Sequence, residues 1–281
     1  ITFNGLVRHY DLRSGGNVAD IQVNLVDKHD RTAQSHEIAS LFRPDIQALG
    51  KKHHANIKIV EVPPGPPVLS TIVAELYGPD YDTQIAIAKQ LAGLLNETAD
   101  VVDVDAMAEA SHHTFHLDID NEKAVKLGLG TPQIIQTLHL ALSESALGNL
   151  YLPTSAAAVP IVLELENADK NSIRSITGLK LKNKIGQLVA IEDVVTIEEV
   201  LAKQPIYRKN QKRVSYVLAD MAGVLESPVY AILGMEETLA KIDLPAGYSL
   251  EELYASSPTT EDNYTVKWDG EWQITLEVFR D

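Results

Sequence analysis

The sequence predicts an α+β protein built from two split βαβ (ferredoxin-like) units, with a mixed α/β segment inserted into the chain. Three observations predict it. Stretches of period two alternate with stretches of helical spacing from residue 18 to residue 107, and the same style returns after residue 213. Between them, from residue 115 to about residue 203, the pattern becomes richer in strands, as in an inserted domain. A proline cluster at residues 63–67 separates the first segments from those that follow.

Residues 18–26 (Val-Ala-Asp-Ile-Gln-Val-Asn-Leu-Val) alternate with period two and predict a strand. Thr32 then opens a helical stretch carried by Ile38, Leu41, Phe42 and Ile46 to Leu49-Gly50, and Pro44 is expected to kink or divide it. A second strand over residues 56–62 ends in Pro63-Pro64-Gly65-Pro66-Pro67, where four prolines forbid both helix and central strand. The next strand, residues 69–77, sets Ser70, Ile72, Ala74 and Leu76 on one side and Thr71, Val73, Glu75 and Tyr77 on the other. After Gly78-Pro79-Asp80 the order repeats, with a helix on Ile85, Ile87, Ala88, Leu91, Leu94 and Leu95 and a strand near residues 101–107.

The best punctuated stretch runs from Phe115 to Pro132. Phe115, Leu117 and Ile119 share one strand face, His116, Asp118 and Asp120 the other, and a short helix then stops at Gly128. Asp120 is placed to cap that helix and Thr131 the next, with Pro132 at the first helical position. Strands follow at residues 159–166, 179–181 and 188–191, the last two around Asn183-Lys184-Ile185-Gly186-Gln187. A strand at residues 213–219, a helix over 228–242 and a strand at 264–268 resume the earlier style. Trp272, Leu276 and Phe279 close the chain at helical spacing, a face suited to lying against a membrane surface.

Composition narrows the class. The 281 residues are 45% hydrophobic and 22% charged, enough for more than one packed subdomain. No run approaches the roughly 18 to 20 apolar residues of a membrane-spanning helix. The chain starts at Ile1 without Met or a signal segment and ends in mid-pattern at Phe279-Arg280-Asp281, which reads as an excised fragment. With no cysteine, disulfides, thiolate metal sites and a Cys nucleophile are excluded. A net charge of -15, spread without any Lys/Arg block longer than two, makes nucleic acid a poor partner, because phosphate binding needs clustered positive charge. Such a surface serves solubility and also favours cationic solutes.

The stretch Asp-Ile-Asp-Asn-Glu-Lys-Ala-Val-Lys-Leu-Gly at residues 118–128 resembles the start of the funnel (docking) subdomain in the second extracytoplasmic loop of resistance-nodulation-division (RND) multidrug efflux transporters of the acriflavine-resistance type. The order and spacing of four further stretches extend the resemblance over most of the chain. These are Glu75-Leu76-Tyr77-Gly78-Pro79-Asp80, Gly186-Gln187-Leu188-Val189, Ile191-Glu192-Asp193-Val194, and Tyr207-Arg208-Lys209-Asn210-Gln211-Lys212-Arg213. The resemblance implies two porter subdomains, the family's third at residues 1–76 and its fourth at 77–114 with 205–281, and an inserted funnel subdomain at 115–204. It further implies no enzyme activity and no cofactor. The expected role is the periplasmic portion of a proton-driven exporter in the inner membrane of a Gram-negative bacterium. That portion would line one side of the cleft for exported small molecules. Its expected partners are a periplasmic adaptor (membrane fusion) protein and an outer-membrane channel, with a homotrimer in the membrane; the separated fragment is expected to be monomeric or weakly associated.

Candidate site residues follow from the same resemblance. Ser14, Gly15, Gly16 and Asn17, after Tyr10 and Leu12, match the position of the family's switch loop, and paired glycines suit a moving loop as well as an ordinary hairpin turn. The multidrug members place phenylalanines about this loop, whereas Tyr10 is the nearest aromatic here. Ile72, Ala74 and Leu76 match cleft-lining positions, and core packing explains the same residues. His112 and His116 share a strand face, with His113 between, and two imidazoles there suit a zinc or copper site or simple solvent exposure; no further ligand stands at defined spacing. Met107, Met221 and Met235 are scattered, unlike the thioether path of a heavy-metal exporter. Asp118, Asp120 and Glu122 form an acidic group without a nearby nucleophile, and no Walker loop, nucleophile elbow or H-E-x-x-H motif is present. A free-standing extracytoplasmic binding or adaptor module, a heavy-metal exporter and a histidine-dependent metalloenzyme are the alternatives.

Overall fold

The computed structural model describes residues 17–61, 68–143, 145–223 and 227–280, and the chain divides into two units, Ile1–Ala110 with Gln204–Asp281, and Ser111–Lys203. The first unit begins with helix α1 (Ser35–Lys52), strand β1 (Ile72–Tyr77), helix α2 (Tyr81–Asn96) and strand β2 (Val101–Ala106). The second supplies β3 (His113–Ile119), α3 (Asn121–Lys126), α4 (Thr131–Leu142), β4 (Ser145–Leu150) and β5 (Val159–Leu163). It continues through α5 (Asn167–Lys170), α6 (Ile173–Thr177), β6 (Lys180–Lys182), β7 (Leu188–Ala190) and β8 (Val195–Leu201). The first unit then resumes with β9 (Arg208–Lys209), β10 (Lys212–Arg213), β11 (Ser215–Met221), α7 (Pro228–Leu233), α8 (Glu236–Leu239), β12 (Leu250–Leu253), β13 (Tyr264–Gly270) and α9 (Glu271–Arg280).

The sheet of the first unit runs β12-β13-β1-β11-β2. β1 is antiparallel to both β11 and β13, and β11 to β2; only β12, beside β13, is parallel. Without β12 this is the strand order of a split βαβ unit, two strand-helix-strand halves interleaved in one sheet. The second unit enters between β2 and β11, where such a unit has its simplest connection. Residues 72–76, which the sequence grouped with the segment before them, form the central strand of this sheet.

Each helix of this unit is legible from its residues. Asp80 accepts the Thr83 N–H at 2.7 Å and caps α2, whose Ile87, Leu91 and Leu95 then fall on one face. They pack against Ile72, Ala74, Leu76, Val217, Ala219, Val266 and Trp268, forming the main core. The expected helix over 228–242 is two short ones, parted at Gly234, which caps α7. Trp272 on α9 is buried in the same core and donates its indole N–H to the Tyr254 carbonyl at 2.6 Å, and Leu276 packs beside it. Two of the three residues of the face suited in sequence to a membrane surface, Trp272 and Leu276, are thus committed to the core of the sheet, while the third, Phe279, and its neighbour Val278 are exposed.

Two expected strands are not formed. Residues 18–26 are without regular structure, with Ile21 91% and Val23 74% exposed, because no strand among the described residues offers them a ladder. Residues 56–61 are likewise not in a strand, and the Ile59 N–H goes to the Asp103 carboxylate at 3.1 Å instead of a backbone carbonyl. Pro44 lies inside a single helix, Ser35–Lys52, rather than dividing it.

In the second unit Ala124, Leu129, Ile134, Leu181, Val189, Ile191 and Val194 form a core of their own. Asp120 caps α3 through the Lys123 N–H at 3.0 Å, and Gly128 at φ 76° terminates it in the left-handed region that favours glycine. The start of α4 is one residue earlier than expected: Gly130 is the cap, and the Thr131 hydroxyl donates to Asn121 Oδ1 at 2.6 Å. β3 pairs with β8, β4 with β5, and β6 with β7, all antiparallel.

Candidate functional site

Of the residues nominated from sequence, Tyr10, Leu12, Ser14, Gly15 and Gly16 lie outside the described residues, and Asn17 is an exposed turn residue. Ile72, Ala74 and Leu76 are fully buried beneath α2, so they belong to the helix-covered core. His112, His113 and His116 are all exposed. His113 Nδ1 lies 3.3 Å from Glu199 Oε1 and His116 stands opposite Glu198 on β8. No group of three His, Cys, Asp or Glu able to hold a metal occurs among the described residues. Met107 and Met235 are buried in different clusters, and Met221 packs against the second of these.

The chemistry gathers on the other face of the sheet, on the side chains that alternate with Ile72, Ala74 and Leu76. Glu75 is 1% exposed and stands opposite Lys267 on β13 and Tyr216 on β11. The Tyr77 hydroxyl donates to Glu75 Oε2 at 2.9 Å. The turn between β9 and β10 lays Lys209 over this row, where its ammonium donates to Glu75 Oε1 and, at 2.5 Å, to Asp269 Oδ2. Lys267 Nζ lies 3.6 Å from Glu75 and 3.5 Å from Asp269, so two acids and two ammonium groups interlock.

The two acids are inequivalent. Burial pushes the Glu75 carboxyl up, helped by its hydrogen bond to Asp269 and only partly offset by Lys267 and Lys209. Burial pushes on Asp269 too, but hydrogen bonds from Glu75 and Lys209 with the attraction of both lysines hold it well below the usual carboxylate range. A proton entering the cluster therefore goes to Glu75. Burial opposes the charge of Lys209, yet its bonds to Asp269 and Glu75 outweigh that and raise its pKa. Burial and the Glu75 charge also raise Tyr77, and push Tyr216 up to about 12.

A second polar arrangement holds α1 to the sheet edge. The only buried residues of this helix are Arg43 and Gly50, while Leu41, Phe42 and Leu49 are exposed. Arg43 donates to the buried Asp103 carboxylate on β2, which also accepts from Gln47 Nε2 at 3.4 Å and from the Ile59 N–H. Lys58 pairs with Asp105 one strand repeat further on. Asp103 itself adopts φ 54°, the left-handed region where a non-glycine residue is strained.

The stretches Glu75 to Asp80 and Tyr207 to Arg213 lie far apart in the sequence. The structure brings them together: besides the Lys209 contacts, Arg213 Nη2 donates to the Pro79 carbonyl at 2.6 Å. The available signal was Glu75, a lone carboxylate on a strand otherwise apolar or aromatic, which in a central strand demands a buried cation.

The chain matches the model of the AcrB/AcrD/AcrF family over residues 1–263. It is 22% identical over 178 residues to the swarming motility protein SwrC of Bacillus subtilis (strain 168), covering 63% of this chain and 16% of that protein. It is 23% identical over 159 residues to the nickel and cobalt resistance protein CnrA of Cupriavidus metallidurans, covering 56% and 15%. Two crystal forms of a heavy metal efflux pump share its fold with a TM-score of 0.56. Form II is 18% identical over 76% of this chain, form I 20% identical over 75%, each over 20% of the pump. The chain thus spans about a sixth of the length of these curated relatives.

Proposed function

The chain belongs to the AcrB/AcrD/AcrF family of RND efflux transporters, and from that premise we propose that it is the periplasmic part of an inner-membrane exporter, forming one side of the substrate cleft and part of the docking surface. The observation that carries this reading is the family match over residues 1–263, which runs through both units. Small sheet-and-helix units, each with a core of its own, suit a machine that works by moving rigid parts. The hairpin of β4 and β5 exposes Leu147, Leu150, Ile161, Val162 and Leu163, an apolar display suited to an adaptor or outer-membrane channel. The proton-carrying groups and the trimer contacts belong to the rest of the transporter. No helix among the described residues is long and apolar enough to cross a membrane.

The cleft residues in this reading remain Tyr10, Leu12 and the loop Ser14-Gly15-Gly16-Asn17. A heavy-metal cargo is the second reading, favoured by the similarity to the nickel and cobalt resistance protein CnrA and to the heavy metal efflux pump. The absence of cysteine makes a clean test possible. In the full-length transporter cleared of other cysteines, Tyr151→Cys, at an exposed position, is expected to react with a membrane-impermeant maleimide on intact cells. Labelling only after lysis overturns the periplasmic assignment. In the same cells, Gly15→Pro/Gly16→Pro is expected to raise the accumulation of exported solute, and comparing an organic dye with nickel or cobalt assigns the cargo class.

A further inference from the structure

The hairpin of β9 and β10 is attached to its unit in an unusual way. Tyr207 meets Tyr216 edge-on at 6.3 Å, but the hairpin itself is held by cations seated on acceptors. Lys209 lies on Glu75 and Asp269, Lys212 Nζ on the Pro258 carbonyl, and Arg213 on the Pro79 carbonyl, with its own N–H on Glu261 Oε1 at 2.9 Å. Its two turn residues, Asn210 and Gln211, both have positive φ, at 50° and 69°, the type I′ geometry expected of a two-residue hairpin turn. The hairpin lies just after Gln204, where the chain re-enters the first unit.

We propose that the Glu75–Lys209 contact is a proton-operated latch on this hairpin, closed when Glu75 is ionised and loosened when it takes up a proton.

The groups facing Glu75 are Lys267 and Asp269 from β13, Tyr216 from β11, Tyr77 on its own strand and Lys209 from β9. With both acids ionised, two negative and two positive charges balance. A proton on Glu75 leaves one acid against two ammonium groups in a mostly buried site, and protonated Glu75 also competes for Asp269 by donating to it. A surplus cation in such a setting moves to water. Lys267 is 6% exposed and cannot, whereas Lys209 at 37% already borders solvent, so Lys209 leaves and the Lys209 end of the hairpin loosens while the Lys212 and Arg213 contacts stay. Burial of Glu75 raises the pH at which this happens above that of an ordinary glutamate. This device stands independently of the transport reading, since it concerns only the first unit.

The test uses a spin label on Arg208→Cys, an exposed hairpin position in a chain without other cysteines. In the otherwise wild-type chain the mobile fraction of the label is expected to rise severalfold, reversibly, as pH falls from about 8 to below the ordinary glutamate value of 4.5. Glu75→Gln, which fixes the neutral state, is expected to be mobile at both ends with no pH step. Lys209→Met, at a half-exposed side chain whose loss leaves the core intact, is expected to behave the same way. A pH-independent label in the wild-type background overturns the latch, and so does a step that survives in either variant. Unchanged circular dichroism across the range is the control that separates loosening of the hairpin from unfolding.

Discussion

At the residue scale, Glu75 and Asp269 give the protein opposite pH dependences from adjacent positions. Asp269 is held below its unfolded value of 3.8, so its contribution is present above that pH and is lost as pH falls below it. Asp269→Asn is therefore expected to lower the unfolding free energy from urea titrations most at neutral pH, by roughly 2 kcal/mol for lost charged hydrogen bonds, with the gap closing in acid. Glu75 is raised above 4.5, so its contribution is present below that pH and fades as pH rises through its folded value. Gly270 imposes a different constraint at the end of the same strand. It sits at φ 79°, and a Cβ there would lie 2.5 Å from the Ser70 carbonyl oxygen and 2.8 Å from that of Thr71. Left-handed strain of about 1 kcal/mol and overpacking of roughly 1 to 3 kcal/mol add, so Gly270→Ala is expected to lose about 3 kcal/mol in urea titrations. A loss below 1 kcal/mol would mean that the β1 backbone yields instead.

Among the elements, α1 is attached chiefly through Arg43 and Asp103 rather than through a fully buried apolar face. Removing one partner of a buried ion pair leaves the other uncompensated, at a cost of about 3 to 5 kcal/mol. Asp103→Ala is thus expected to release α1 locally. Amide exchange at Ile59, whose N–H donates to Asp103, and along α1 should accelerate while β1 stays protected. If β1 accelerates equally, the helix and sheet open as one. What the sequence disclosed about elements follows the same physics. α2 was legible from its apolar spacing and α3 from its Asp120 cap, both of which are local in sequence. The strand expected at residues 18–26 was not formed because alternation only offers a face, while a strand also requires a neighbour to pair with, which lies beyond local sequence. Trp272 and Leu276 were legible as one helical face, but whether sheet or membrane covers that face is decided by Tyr254 and the distant core. The ionic cluster went unread for a similar reason: Lys209, far along the chain from Glu75, reaches it only once β1, β11 and β13 are paired.

Across the whole molecule, the arrangement of a complete split βαβ sheet with a second unit spliced into one connection makes a strong statement about autonomy. The first unit's core draws on residues on either side of the insertion and on none within it, and the second unit's core is drawn entirely from residues 111–203. The two chain segments of the first unit are already close where the insertion leaves and returns, since Gln204 Nε2 donates to the Glu109 carbonyl at 2.7 Å. A short turn is enough to join them, because loop closure over a few residues costs little when the ends are already adjacent. Replacing residues 111–203 with an Asn-Gly turn is therefore expected to leave a chain that unfolds cooperatively, with a urea midpoint near that of the first unit in the parent protein. The excised segment 111–203 is expected to give its own dispersed amide spectrum. Should the shortened chain lose its cooperative transition while β1 amides lose protection, the insertion is a structural support for the sheet, and the independence read from the two cores is wrong.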